Sequence, residues 1–137
     1  MSAFNKFNRF PTDLALKVHN LDTDTLKVYL SNTAPNASTH TVKADIAEIT
    51  AGNGYTAGGN DTQNATSRTG GTTSVTGVDF TITATGSVGP FQYAILYNDT
   101  PTSPADPLIG WWATTSTTLA NGETFTVDFG ASMFTIA

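Results

Sequence analysis

Four glycines surround one tyrosine in the stretch Ala47–Asn60, AEITAGNGYTAGGN, and glycine-rich loops of this kind can cradle phosphate groups. The spacing here is G-x-G-x-x-x-G, whereas a dinucleotide-binding loop needs G-x-G-x-x-G between a strand and a helix. The residues that follow offer no apolar helix face, and no lysine occurs after Lys43, which excludes a Walker-type loop. We therefore predict a turning segment in which the glycines adopt positive φ.

The histidines show no spacing that is typical of a metal centre. His19 and His40 are the two histidines of the chain, and neither belongs to an H-x-x-H or H-E-x-x-H pattern. Cysteine is absent, which excludes a thiol nucleophile, a disulfide and a cysteine-ligated metal. We interpret His19 as a residue at a helix end and His40 as a loop residue.

Two pairs of carboxylates lie close together in sequence. Asp22 and Asp24 alternate as in some calcium loops, but the glycine and the distal glutamate of such loops are missing. A solvated turn is therefore favoured over a cation site. Asp99 and Asp106 form the second pair, which would act as a glycosidase pair only if the fold placed both carboxylates in one cleft. We predict no catalytic, cofactor-binding or metal-binding residue and no enzymatic activity.

The aromatic residues are the best candidates for binding a partner. Trp111 and Trp112 are adjacent, so on a strand they point to opposite faces, one into the core and one towards solvent or a partner. Trp and Tyr are enriched at the centres of protein interfaces, and an exposed Trp near Tyr97 could instead stack on a sugar ring. The N-terminal Phe4, Phe7 and Phe10 belong either to an arm that docks on a neighbour or to a helix that packs into the domain.

Composition narrows the class of protein. The 137 residues predict one domain, and the net charge of −5 argues against a nucleic-acid partner. Residues 1–43 carry five cations and three acids, whereas residues 44–137 carry one cation and eight acids, which indicates different partners for the two parts.

No apolar run is long enough to cross a membrane, and the N-terminus lacks the apolar core of a secretory signal. About a fifth of the residues are threonine, which suits pleated, half-exposed surfaces.

Alternating patterns predict a mainly β, antiparallel β-sandwich with a short N-terminal helix or arm. Pro11 suits the first turn of a helix over Pro11–His19 that is capped by Asn20, and a strand through LALKV is the alternative. The other predicted elements are a strand in TLKVYLS, a helical turn in VKADIAEIT, a strand in VDFTITAT with Val78 inward, a central strand in FQYAILYN, a strand in LIGWWAT, a hairpin turn at Asn121-Gly122, and strands in TFTVDF and SMFTIA. Residues 1–13 form the candidate docking arm, and residues 60–74 are predicted to be a flexible loop.

Several blocks of the sequence, in this order, resemble small structural proteins of tailed bacteriophages: DLALKVHNLDTDTLKVYLSNTAP, ADIAEITAGNGYTAGG, GPFQYAILYNDT, PLIGWW and NGETFTVDF. That group consists of head-associated proteins that resemble capsid decoration, or cement, proteins. The resemblance implies a virion location on the outer surface of the capsid, with the major capsid protein as partner. It brings no functional residues that could be carried over.

The sequence therefore predicts a non-enzymatic virion protein that stabilises the head by bridging capsid subunits. We expect self-association as a dimer or trimer, with neither nucleic acid nor membrane as a partner. The contact candidates are Phe4, Phe7, Phe10 and one of Trp111 and Trp112. The alternative is a fibre or adhesin module that binds host-surface glycans through an exposed aromatic platform.

Overall fold

The computed structural model describes residues 2–137, which form antiparallel β-sheets with one short helix. The elements are β1 (Asn5–Lys6), α1 (Phe10–Ala15), β2 (Leu26–Ser31), a 3-10 turn (Lys43–Asp45), β3 (Asn60–Asp61), β4 (Ala65–Thr69), β5 (Thr72–Thr76), β6 (Phe80–Thr83), β7 (Val88–Asn98), β8 (Leu108–Leu119), β9 (Thr124–Val127) and β10 (Phe134–Ile136). The predicted mainly β, antiparallel fold with a short N-terminal helix is confirmed. Within residues 2–137, no helix has the length and apolar character that crossing a membrane requires.

A five-stranded sheet in the order β1-β8-β7-β2-β3 forms the centre of the domain. Strand β7 lies in its middle and pairs with β2 on one side and β8 on the other, which confirms the central position predicted for FQYAILYN. The smaller sheets are β10-β5-β4 and β6-β9. All strand pairs are antiparallel.

Both faces of the central sheet are covered. Val28, Leu96 and Trp112 point to one face, where they join a core with residues of the two smaller sheets. Tyr29 and Ile95, one position away along their strands, point to the other face. Ile46, from the connection between β2 and β3, packs on that second face. Because side chains alternate along a strand, the apolar runs of β2 and β7 supply both cores.

Helix α1 is shorter than the predicted Pro11–His19, although Pro11 does lie in its first turn. Lys17 has a φ of 65°, and the helix ends before it. The Val18 N–H donates to the Asp13 carbonyl and the Lys17 N–H to the Leu14 carbonyl, which is the Schellman pattern of helix termination. The cap is therefore formed around Lys17 rather than at Asn20, and the alternative strand through LALKV is absent from the described residues.

The prediction of a flexible loop over residues 60–74 is wrong. This segment contains β3, β4 and the start of β5. Thr69 pairs with Thr72, so Gly70-Gly71 forms the two-residue turn of a hairpin, with Gly70 at a φ of 59°. The strands carry mostly Thr, Ser and Arg on a largely exposed surface. Because this composition is polar, the sequence pattern indicated a loop instead of a hairpin.

Two further strand predictions need correction. Asn121-Gly122 does form a turn, but the strands beside it do not pair with each other, because β9 pairs with β6 and β8 pairs with β7. Val78, predicted to face inward, is exposed because β6 begins only at Phe80. Val127 and Phe129 of the TFTVDF segment point into the core, and the predicted terminal strand in SMFTIA is confirmed.

Candidate functional site: an apolar groove beside the N-terminal arm

The N-terminal arm, defined here as residues 2–9, lies along the edge of the central sheet. The Ser2 hydroxyl donates to the Ala113 carbonyl at 2.6 Å and accepts from the Ala113 N–H at 3.0 Å. Lys6 pairs with Gly110, and the Phe7 N–H donates to the Ile109 carbonyl at 3.1 Å. The arm therefore extends its own sheet by one strand and covers the edge of β8.

The three N-terminal phenylalanines pack within their own domain. Phe7 and Phe10 are buried, and Phe4 is half-buried. Phe4 stacks on Phe134 with ring centroids 5.0 Å apart, and Phe10 meets the same ring edge-on at 5.5 Å. Of the two interpretations of these residues, packing into the domain describes the structure, and Phe7 has no free surface to offer a partner.

Trp111 and Trp112 point to opposite faces of β8, as the sequence predicts. Trp112 is buried in the core that includes Phe129, with ring centroids 5.5 Å apart. Trp111 is half-buried and packs 4.7 Å from Phe7. Tyr97 is only 2% exposed, so it cannot form an exposed platform with a tryptophan on which a sugar could stack.

Gly110 allows the arm to lie close to β8. A side chain at this position would overlap the Phe4 ring and the Asn5 carbonyl oxygen. The absence of a Cβ atom therefore lets the Phe4 ring lie directly over the strand. Sequence analysis missed this residue, because only the three-dimensional pairing of β1 with β8 makes the glycine necessary.

An apolar groove of about 530 Å³ lies between the arm, helix α1 and strand β10. Its apolar walls are Phe4, Phe10, Pro11, Leu14, Phe134 and Ile136. Lys6 is the one charged side chain in its lining, and within residues 2–137 it forms no ion pair. Strands β1 and β10 are edge strands of two different sheets, and both border this groove.

The glycine-rich segment is a structural connection, as predicted. Gly54 and Gly59 have positive φ, and a side chain at Gly59 would overlap the Val28 carbonyl of β2. Glu48 holds the segment in place, because its carboxylate accepts from the Tyr55 hydroxyl at 2.6 Å and from the Gly58 N–H at 2.7 Å. These contacts dock the segment against the sheet.

Lys43 contacts both Glu48 and Tyr29, which lies on the second face of the sheet. Its ammonium group lies 3.1 Å from the Glu48 carboxylate and 4.8 Å from the centre of the Tyr29 ring. Burial, together with the nearby Glu48 charge, raises the pKa of Tyr29 and Tyr55 well above the usual value. Buried, neutral tyrosines that donate to carboxylate and carbonyl oxygens stabilise this packing.

The predicted carboxylate pairs are held by contacts within the chain. Asp22 accepts from the Thr66 hydroxyl at 2.8 Å, and Asp24 accepts from Asn98 at the same distance. Asp99 is exposed and forms an ion pair with Lys27 at 3.0 Å. Burial and the neighbouring Asp99 raise the pKa of Asp106. Within residues 2–137, no group of three or more histidine, aspartate or glutamate side chains could hold a metal ion.

The two histidines differ in their surroundings. His40 is a partly exposed loop residue whose Nδ1 accepts from the Asn36 N–H at 2.9 Å, as expected for a loop position. His19 lies beyond the helix end and is buried, with a contact to Asn98. Sequence analysis missed this burial, because nothing in the local pattern shows that β7 lies against the residue.

Fold and site together define an antiparallel β domain whose own arm completes its central sheet and builds an apolar groove. No protein-family model, curated protein or solved structure matches the chain.

Proposed function

We propose that this chain is a non-enzymatic structural protein of a bacteriophage virion that decorates the outer surface of the capsid. The sequence blocks that resemble head-associated phage proteins support this proposal, and so does a β-rich surface with abundant threonine. The major capsid protein is the proposed partner. Added contact area between neighbouring capsid subunits would stabilise the shell at every copy.

The groove between β1 and β10 is the observation that carries the proposal. An extended segment that enters it can add backbone hydrogen bonds to an edge strand and place alternate side chains against Phe4 and Leu14. Lys6, at the rim, would attract an acidic side chain of that segment. We therefore propose that the occupant is an extended capsid-protein segment with apolar side chains and an acidic residue.

Capsids that lack this protein provide the test. Purified protein is mixed with such capsids, and the bound amount is measured after sedimentation. Uptake at a fixed number of copies per capsid is expected. Lys6→Glu should lower the affinity at least tenfold, because it places a negative charge opposite the acidic residue of the capsid segment.

Arg68→Glu is the matched control, since it makes the same charge change on exposed strand β4 and should leave uptake unchanged. Uptake of the Lys6→Glu variant equal to that of the Arg68→Glu variant would reject the groove as the docking site. Binding to phage tails or to host cells instead of capsids would reject decoration and favour the glycan-binding alternative. Self-association as a dimer or trimer, measured by sedimentation velocity, is part of the same proposal.

A further inference from the structure

A short chain of side chains connects the end of helix α1 to strand β7. The Asn98 amide Nδ2 donates to Asp24 Oδ2 at 2.8 Å and lies 3.0 Å from His19 Nδ1. Asn98 is fully buried, and His19 is 6% exposed. The backbone N–H groups of residues 16–18 donate to carbonyls of α1 itself, so the side chain of His19 provides the direct hydrogen bond from this turn to β7.

The orientation of the Asn98 amide is fixed by its other partners. Its Oδ1 accepts from the Thr100 N–H at 3.1 Å, while its Nδ2 faces the Asp24 carboxylate. Reversing the amide would place Oδ1 against that carboxylate and Nδ2 against the Thr100 N–H, and both contacts would be repulsive. His19 Nδ1 must therefore be the acceptor of the Asn98 hydrogen bond, and the ring proton resides on Nε2.

The charged groups around His19 come from two elements. Asp13 faces it from α1, and Asp24 faces it from the following turn, and both favour a protonated ring. Arg9 offsets part of the Asp13 charge through a contact of 2.7 Å. Lys17 and Asp22 line the same surface hollow as His19, one of each charge. Burial outweighs the two carboxylates and lowers the pKa of His19 below its ordinary value of 6.5.

His19 Nε2 is buried and has no hydrogen-bond partner within the described residues. The neutral ring thus makes one hydrogen bond, through Nδ1, and the charged ring would make none unless the site rearranged. A proton on Nδ1 would point at the Asn98 N–H donor and end that contact. Protonation therefore removes the contact between the turn and β7 and leaves a buried charge.

We propose that His19, Asn98 and Asp24 form an acid-sensitive latch that holds the turn after helix α1, residues 16–20, against the central sheet. Acidification protonates His19, the His19–Asn98 hydrogen bond is lost, and residues 16–20 move away so that the imidazolium reaches water. The latch does not depend on the identity of the groove's partner.

Proton linkage sets the size of the effect. The opened segment binds a proton with the ordinary His pKa of 6.5, whereas the closed segment binds it at a lower pH. Between these two values, each unit of acidification should raise the open fraction by up to about tenfold. The closed form is thus most stable above pH 6.5 and loses stability as the pH falls through this range.

Amide hydrogen exchange, corrected for intrinsic rates, measures the opening between pH 7.5 and pH 5. In the wild-type protein, the protection of residues 16–20 should fall by up to about tenfold per pH unit below pH 6.5, while the amides at the centre of β7 keep theirs. His19→Asn places Oδ1 where Nδ1 accepts the hydrogen bond but cannot be protonated, so its protection should be independent of pH. His40→Gln, which removes the other histidine, should keep the wild-type response.

Nitrogen NMR of wild-type His19 provides a second measurement that needs no variant. A neutral Nε2–H tautomer at pH 7.5, with loss of protection that follows protonation of the same ring, is the expected result. A doubly protonated ring at pH 7.5 would overturn the proposal. An equal acid response in the wild type and His19→Asn would overturn it too.

Discussion

Replacing Gly110 by alanine tests whether the N-terminal arm is held by close contact with β8. The new methyl group would overlap the Phe4 ring and the Asn5 carbonyl, far inside the separation of about 3.5 Å at which carbon atoms pack. Two outcomes satisfy the sterics: either β8 and the arm stay together under strain, or the arm leaves the sheet. Both destabilise the domain, and their costs are similar.

Strain from overpacking typically costs about 1–3 kcal/mol. Detachment of residues 2–6 from β8, with Phe7 still buried, would remove the packing of Phe4 on Trp112 and Phe134, where full truncation of a buried phenylalanine costs about 3–5 kcal/mol. Because Phe4 is half-buried, about half of that amount, roughly 2 kcal/mol, is the appropriate value. We therefore expect Gly110→Ala to lower the free energy of unfolding by about 2 kcal/mol.

Denaturant unfolding measures this change, with the midpoint shifting at a constant slope. The Phe7 amide, which donates to Ile109, should also lose hydrogen-exchange protection. Gly71→Ala is the matched control, since a side chain there meets no atom within 4 Å and the residue lacks a positive φ. The reasoning fails if Gly110→Ala unfolds within about 0.5 kcal/mol of the wild type and the Phe7 amide stays protected.

Two further predictions concern Glu48 and the buried tyrosines. Glu48→Ala removes the acceptor of the Tyr55 hydroxyl and the Gly58 N–H, and it should lower the free energy of unfolding by about 2–4 kcal/mol in denaturant unfolding. Glu48→Gln should cost less because it keeps one acceptor oxygen. Equal losses in the two variants would argue against the hydrogen bonds as the cause. The raised pKa values of Tyr29, Tyr55 and Tyr97 mean that the folded protein keeps protons that the unfolded chain releases near pH 10, so this stability is present below pH 10 and is lost as the pH rises. Tyrosinate absorbance of these residues should accompany alkaline unfolding, and their ionisation in the folded protein, followed on Tyr→Phe variants, would contradict the argument.

The sequence predicts those parts of the fold in which local pattern and burial agree. In strand β2, Leu26, Val28 and Leu30 face one core as the alternation indicates, but Tyr29 on the opposite face is buried as well, and in the segment Thr124–Phe129 the inward residues Val127 and Phe129 are buried. Strand β7 is apolar at most positions because both of its faces are covered. In these segments, period-two alternation or a continuous apolar run reports directly on the layers above and below the strand.

The hairpin of β4 and β5 shows where pattern reading was misapplied. Its signal was present, since Gly70-Gly71 separates two β-branched runs, but the low hydrophobicity favoured a loop. Asn121-Gly122 illustrates the opposite error. The dipeptide makes a turn, but pairing is decided by which strand offers a free edge, and β6 rather than β8 pairs with β9.

The candidate site lay largely beyond sequence reasoning, because its residues become related only through long-range pairing. Phe4 and Gly110 lie in distant parts of the chain, and Phe134 comes from its final strand. The aromatic arm and the adjacent tryptophans do stand out in the sequence. No local pattern in the sequence predicts that the arm pairs with the edge of its own sheet.

This arrangement changes the role of the predicted contact residues. Phe7 lies against Trp111 within one chain, so truncating either ring should affect stability before it affects binding. Phe4 and Phe10 instead build the walls of the groove, together with Phe134 from β10. Because the arm already pairs with the β8 edge, a partner segment would bind in the groove between β1 and β10 instead. Under the proposed function, the arm therefore acts as a shaping element for a docking groove, and the specificity for a partner resides in the exposed rim around Lys6.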